Sequence, residues 1–500
     1  MRSLLLCTSA AAFALAGLAQ AQTTVFSGDD LAAIVAAAPD GETITILSND
    51  TFVGTLEVVG KTLWIEAGQG FTPTIQGDPG EEGIDLKEST AVTNVKCYNL
   101  RVRGGVNPDP NEEYLPVSVR AGGTGNVPEF TVGEFFGCEL LDDISVGATG
   151  EVQQTFSFFD CELDGGLGIS GTGNASMDLT IEGCTSGGRI RISGTGLFEC
   201  DFDIRRLRSS SYFTCSENSS SLINGLIESS VFANENDAVG NVGISVILGA
   251  DVDVVSCTST GWTVGLRLDS PASGENLALF DNDLDVSSLT DFGVLSNSLL
   301  TDGSYTGFGT LQGQPVWNKN YAFLQGSVGI DQGNSNNGLL GILDVYGDNR
   351  IQDGDGDGVA KVNYGAVETV APCAPAELKL QNGNDINPVE YEALNLPVLG
   401  QSFDAQIKTG SDTVLTLLAV DQLVSPFPLG GIEGEVLVGL TPNLYLDDGV
   451  ALGKHVLPIP NDPNLCGATT GTQGLRVELD AQSGQVKVLA LNGYELKFGS

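Results

Sequence analysis

Short runs in which apolar and polar residues alternate recur through the N-terminal two thirds of the chain. Ile44 and Ile46, Leu56 and Val58, and Leu63 and Ile65 each mark one such run. The alternation predicts half-buried β-strands, because successive side chains on a strand point to opposite faces. Between residues 122 and 257 the runs become periodic. A turn of small residues, Thr and Gly recurs at Gly122–Gly125, Gly147–Gly150, Ser170–Gly173 and Ser193–Gly196, in steps of roughly 23–25 residues. Out of phase with it runs an apolar strand ending in cysteine, at Glu134–Cys138, Ser157–Cys161 and Thr180–Cys184. A fixed period of this size, with strands and glycine turns but no helical stretch, predicts a solenoid of β-coils.

The pattern changes at both ends of the periodic region. Leu31, Ile34, Val35 and Ala38 share one helical face behind Ser27-Gly28-Asp29-Asp30, and Pro39-Asp40-Gly41 stops the run. This predicts an amphipathic helix covering the open end of the solenoid core. From Ala376 onward, alternating strands such as Val414–Leu418, Glu435–Val438, Leu475–Leu479 and Val486–Ala490 lie between Gly/Pro turns. They predict a small antiparallel β-sandwich. The expected organisation is a signal peptide over 1–21, a parallel β-helix over 22–370 and a sandwich module over 371–500.

Composition narrows the function class. Hydrophobic residues make up 41% and charged residues 17%, which excludes a disordered chain. The formal net charge is −42. That excess opposes binding to nucleic acid or anionic lipid and favours cation binding at carboxylate clusters; a surface adapted to a salty or calcium-rich medium explains it better than any specific partner does. Arg2, the apolar stretch Leu4 to Leu18 and Ala19-Gln20-Ala21 form a secretory signal with cleavage expected after Ala21. No other stretch is long and apolar enough to span a bilayer. The mature chain is therefore expected to be secreted or held at the cell surface.

Asp30-Leu31 through Ala38-Pro39-Asp40-Gly41, followed by Gly60-Lys61-Thr62-Leu63-Trp64-Ile65, resembles the opening of right-handed parallel β-helix proteins of the pectate-lyase-like superfamily. The resemblance covers about residues 24–370. It implies an all-β fold, a right-handed parallel β-helix with an N-terminal helical cap. Activity is not implied, because this fold hosts lyases, hydrolases, adhesins and inert stalks. Asp344 to Glu368 is similar to the closing segment of bacterial surface β-helices. Asn387-Pro388, Pro397–Gly400, Ile459–Pro463 and Leu491–Tyr494 resemble a C-terminal module of exported planctomycete-type bacterial proteins.

Candidate chemistry is sparse. Seven cysteines, Cys97, Cys138, Cys161, Cys184, Cys200, Cys215 and Cys257, end apolar strand motifs and are expected as buried free thiols filling one corner of the core. Asn282 is expected to continue that ladder. No cysteine spacing matches a zinc site. Cys373 and Cys466 are candidates for a disulfide. His455 is the only histidine, which excludes a Ser-His-Asp triad on the β-helix; it is expected to be an ordinary surface residue.

Asp353, Asp355 and Asp357 alternate ahead of Gly358, as in a calcium loop. The twelfth position is Tyr364, so the EF-hand pattern fails unless Glu368 serves in a wider loop. Calcium and a solvated acidic turn both remain open. Arg189, Arg191, Arg205, Arg206 and Arg208 form the densest basic patch, a candidate for holding sugar carboxylates or sulfates. The competing reading is an ion-pair ladder with neighbouring Asp201 and Asp203 and with the adjacent coils. Paired carboxylates among Asp142, Asp143, Asp160, Asp164, Asp201 and Asp203 are candidates for glycoside hydrolysis.

Two function classes follow. The first is a structural or interaction protein with polysaccharide or cell-surface components as candidate partners. The second is a lyase or hydrolase acting on an acidic polysaccharide along the outer face of the coils between about residues 140 and 290.

Overall fold

A computed structural model describes residues 22–499 apart from 88, 107–115, 124–128, 219, 236–241, 270, 289–292, 304, 358, 370–374, 440–441, 447–452, 461–464 and 466–467. The expected signal peptide and the candidate Cys373–Cys466 disulfide lie outside the described residues. The chain divides into two compact units, Met1–Thr369 and Val370–Ser500.

The first unit is a parallel β-solenoid. Each coil gives one strand to each of three parallel sheets; Val152–Phe159, Glu162–Leu163 and Leu167–Thr172 form one such coil. In the order a coil visits them, the sheets hold 12, 12 and 10 strands among the described residues. In the regular coils each residue pairs with one 23 positions on, as in Phe136↔Phe159↔Glu182↔Arg205↔Glu228. Identical register stacks like on like. Inward side chains such as Phe135 and Phe158 stack at 5.3 Å between ring centroids. Outward ones stack too, as Tyr98 on Phe136 at 4.8 Å.

The corner between the first and second sheets is a single residue in the left-handed region. Gly137 and Gly183 occupy it without penalty, whereas Asp160 (φ 52°) and Arg206 (φ 54°) are held there by their coils. The next residue turns inward. Cys138, Cys161 and Cys184 fill that position in three successive coils, Leu207 and Ser230 in the next two, and Cys257 after them. All seven coil cysteines are buried and free, as expected. Only four line this corner, however. Cys97 and Cys200 belong to first-sheet strands, and Cys215 to a third-sheet strand. Nor does Asn282 continue the column: Thr258 pairs with Ala278, which puts Leu277 after Cys257. Asn282 instead accepts from the Trp262 amide and donates to the Ser259 carbonyl. A strand ending in cysteine does not reveal which of three faces it belongs to.

The capping helix spans Leu31–Ala37, as the pattern predicts. Asp30 accepts from the Ala33 amide at 2.9 Å, the N-cap bond. At the other end Lys61 Nζ donates to the carbonyls of Val35, Ala36 and Ala38. One ammonium thus meets the carbonyls of the last turn, of which Val35 also accepts from the Ala38 amide, and the negative end of the helix dipole.

Among the described residues of 313–368 the pairing is confined to isolated bridges: Trp317↔Phe323, Leu343↔Asn349 and Gln352↔Lys361. This segment, whose second half resembles a closing piece, lies along the outward face of the second sheet. Val345, Ala366 and Val367 pack on Val231 and Ala233, and Phe323, Ile330 and Tyr364 pack on Ala278, Phe280 and Leu299. The covered strands Val231–Ala233 and Ala278–Phe280 are therefore buried on both faces. The segment is anchored by buried polar groups. Arg350 pairs with Glu368 at 3.1 Å and donates to the Gly365 carbonyl, and Asp344 accepts the amides of Tyr346, Asp348 and Glu368.

The second unit contains a largely antiparallel sheet in the order Glu377–Gln381, Val486–Lys497, Thr469–Leu479, Thr413–Asp421, Asn443–Leu446. A smaller sheet holds Tyr391–Ala393, Ser402–Ile407 and Lys454–Pro458. Leu418, Leu491 and Leu496 of the first meet Tyr391, Phe403 and Ile407 of the second in one core. His455 is fully buried rather than at the surface, with Nε2 3.2 Å from Thr416 Oγ1. It sits at an inward position of its strand, between exposed and half-exposed neighbours.

Candidate functional site

The basic patch is not one patch. Arg191 lies on the third-sheet strand Ile190–Thr195, between Gly168 and Thr214 in register, with Arg189 just ahead of it; both are exposed. Arg205 ends a first-sheet strand and binds Asp203 at 2.8 Å. Arg206 occupies the corner and reaches Glu182 at 3.1 Å. Arg208 lies on the second sheet. A coil of 23 residues turns through all three faces, so a patch that is dense in sequence is spread around the solenoid. The ion-pair reading holds for Arg205 with Asp203 and, across adjacent coils, for Arg206 with Glu182, while Asp201 accepts from Asn224 instead.

The candidate carboxylate pairs are mostly structural. Asp142 accepts the Gly104 amide and Asp143 the Gly166 amide. Of those six, Asp164 lines a cleft.

That cleft forms where the covering segment ends. The outward column of the second sheet runs Arg101, Glu139, Glu162, Thr185, Arg208, then Val231, Thr258, Ala278 and Leu299. It changes from polar to apolar where the cover begins. A cleft of about 370 Å³ opens at the change, with Glu162, Asp164 and Arg208 on the sheet side and Lys319, Asn320, Tyr321 and Tyr346 on the segment side. The Arg208 guanidinium lies 5.4 Å from the Tyr346 ring centroid, a cation–π arrangement. The Tyr346 hydroxyl donates to the Asn320 carbonyl at 3.1 Å. Tyr321 stacks on Trp317 at 5.6 Å and donates to Glu235 at 2.8 Å.

Burial pushes both phenols above their usual pKa, for Tyr321 with help from the Glu235 carboxylate, so both stay protonated. The cleft thus offers an exposed aromatic face, a guanidinium, an ammonium and three carboxylates. Sequence reasoning found Arg208 and Asp164 but missed Tyr321, Tyr346 and Lys319. The only local signal for them was the aromatic content of a segment without strand periodicity.

The acidic turn is distinct from the cleft. Asp353 accepts the Gly356 amide, Asp355 the Asp357 amide and Asp357 the Val359 amide. Asp353 and Asp355 come together with Asp331, each offering an oxygen within 4.8 Å of the others; Asp357 is not part of that group. Glu368 does not join either, because it is committed to Arg350 and the Asn363 amide. Burial holds the Glu368 carboxyl up at about 8, despite the opposing pull of Arg350.

In the thiol stack, Cys161 Sγ lies within hydrogen-bond distance of the Phe135 and Phe159 carbonyls and Cys184 Sγ of the Phe158 and Glu182 carbonyls, while the neighbouring Cys161 sulfur and burial push Cys138 and Cys184 up. Burial raises Cys200 and Cys257 to about 12.

No family model matches the chain, and no curated protein matches it.

Proposed function

We propose that the chain is a secreted or surface-held β-helix protein of the pectate-lyase-like fold group, and that it binds a neutral polysaccharide or glycan in the cleft beside Arg208. The observation that carries this reading is the Arg208–Tyr346 pair beside Tyr321, facing open carboxylates. Sugar rings stack their C–H faces on aromatic rings, and their hydroxyls pair with guanidinium and carboxylate groups. Glu162, Asp164 and Glu235 outnumber Arg208 and Lys319, and the whole chain carries −42. Both facts disfavour an anionic polymer, the substrate of the lyase reading. The signal-like N-terminus supports export. No helix among the described residues is long and apolar enough to cross a membrane.

Calorimetric titration of the protein with neutral and uronate oligosaccharides tests the proposal. Binding of a neutral oligomer is expected, weakened at least tenfold by Arg208→Ala or Tyr346→Ala and unchanged by Arg191→Ala. Release of unsaturated, ultraviolet-absorbing ends from a uronate polymer would replace this reading with the lyase. Equal binding by all three variants would remove the cleft as the site.

A further inference from the structure

An exposed acidic turn is by itself only a solvated loop. What sets this one apart is Asp331, which comes from a different loop and is 3% exposed. Its Oδ2 accepts the amides of Gly354 at 2.9 Å and Asp355 at 3.0 Å, which clamp the carboxylate to the base of the turn. Its Oδ1 is closed off from solvent and has no hydrogen-bond partner. Buried carboxylate oxygens are ordinarily paired, so an orphaned one beside two further carboxylates calls for a cation. The geometry fits one. Calcium binds oxygens at about 2.3–2.6 Å, so oxygens sharing an ion lie within about twice that distance of each other. The oxygens of Asp331, Asp353 and Asp355 lie within 4.8 Å of one another.

We propose that Asp331, Asp353 and Asp355 form a calcium-type divalent cation site, and that Asp357 stands outside it. The site joins two loops rather than one continuous motif. Asp331 supplies the inner ligand, held in place by main-chain amides. Asp353 and Asp355 supply the outer ligands, and water completes the coordination. The ion would fasten the acidic turn to the loop around Ile330, which packs on the second sheet through Phe280 and Leu299. The proposal stands independently of saccharide binding, because none of its ligands lines the cleft.

The test is calorimetric titration of the chelator-treated full chain with calcium chloride at low ionic strength, together with melting curves in calcium and in chelator. The expected result is saturable binding and a higher melting temperature in calcium. Asp355→Asn and Asp331→Asn should each weaken binding at least tenfold, with Asp357→Asn within about twofold of the unaltered protein. If Asp331→Asn fails to fold by circular dichroism, Asp353→Asn, at the half-buried edge of the site, takes its place with the same expected loss. Absence of binding heat and of any melting shift overturns the proposal. So does an Asp331→Asn or Asp353→Asn protein that binds like the unaltered chain, or a loss in Asp357→Asn as large as in Asp355→Asn. Magnesium binding as tight as calcium would overturn the calcium assignment.

Discussion

The Arg350–Glu368 pair invites the view that a buried ion pair holds the covering segment down. The structure argues otherwise. The side chain of Glu368 is fully buried, and its carboxyl is held at about 8 against an ordinary 4.5. Burial is the larger cause, and Asp344 and Asp331 add to it while Arg350 opposes. Between those two pH values the folded protein therefore holds a proton that the unfolded chain has lost. Unfolding free energy must fall as pH rises through this window, by about 1.4 kcal/mol per pH unit. Over the full window the loss is on the order of 4–5 kcal/mol.

Glu368→Gln isolates this contribution, because glutamine keeps an acceptor for the Asn363 amide and cannot ionise. Glu228 and Asp331 also carry raised carboxyls, but they are common to both proteins and cancel in the difference. Urea midpoints for the two proteins at pH 5 and pH 8.5 provide the assay. At pH 5 the two should be nearly equal. At pH 8.5 the glutamine variant should be the more stable, by on the order of 3–4 kcal/mol. A variant that is less stable than the parent at pH 8.5, with a deficit that grows with pH, would refute the reasoning. The carboxylate would then lie below its ordinary value and the pair would be net stabilising.

Three further outcomes follow from the coil geometry. Thiol titration of the native protein should leave the seven coil cysteines unreacted and expose them on denaturation; rapid native reaction at Cys161 would mean its coil opens. Asp30→Ala should cost about 1 kcal/mol by removing the N-cap bond, and an unchanged melting temperature would show that Lys61 and burial hold the helix without it. Gly171→Ala should destabilise by roughly 1–3 kcal/mol, since an added Cβ would fall 1.9 Å from the Phe198 ring, and a neutral result would mean that ring can swing aside.

Much of the fold was legible along the chain. The strands around Phe135, Phe158 and Ile181 follow from alternation, and the cap from Asp30 and the Leu31–Val35 face. The strand Glu435–Val438 has the expected bounds, and those at Val414, Leu475 and Val486 lie within longer ones. Errors arose where one motif could fit several faces. Cys97, Cys200 and Cys215 end apolar runs just as Cys138 does, yet only register distinguishes a corner from a strand. His455 was misread because a lone polar residue in a strand carries no sign of which face it takes. Arg189 and Arg191 were grouped with Arg206 and Arg208 because closeness in sequence was taken for closeness in space.

What the sequence determined by itself was the solenoid. In a 23-residue repeat each coil meets a near copy of itself, so a pattern that suits one coil suits the stack. Tertiary structure alone decided the cleft and the aspartate group. Both depend on residues 313–368 folding back across the second sheet, a segment with no period to announce its place. Tyr321 meets Glu235 across 86 positions, and Ser229 bonds the Leu343 carbonyl across 114. Such contacts are set by which apolar surface on the coils remains to be covered, a property of the assembled face and not of any local run of residues.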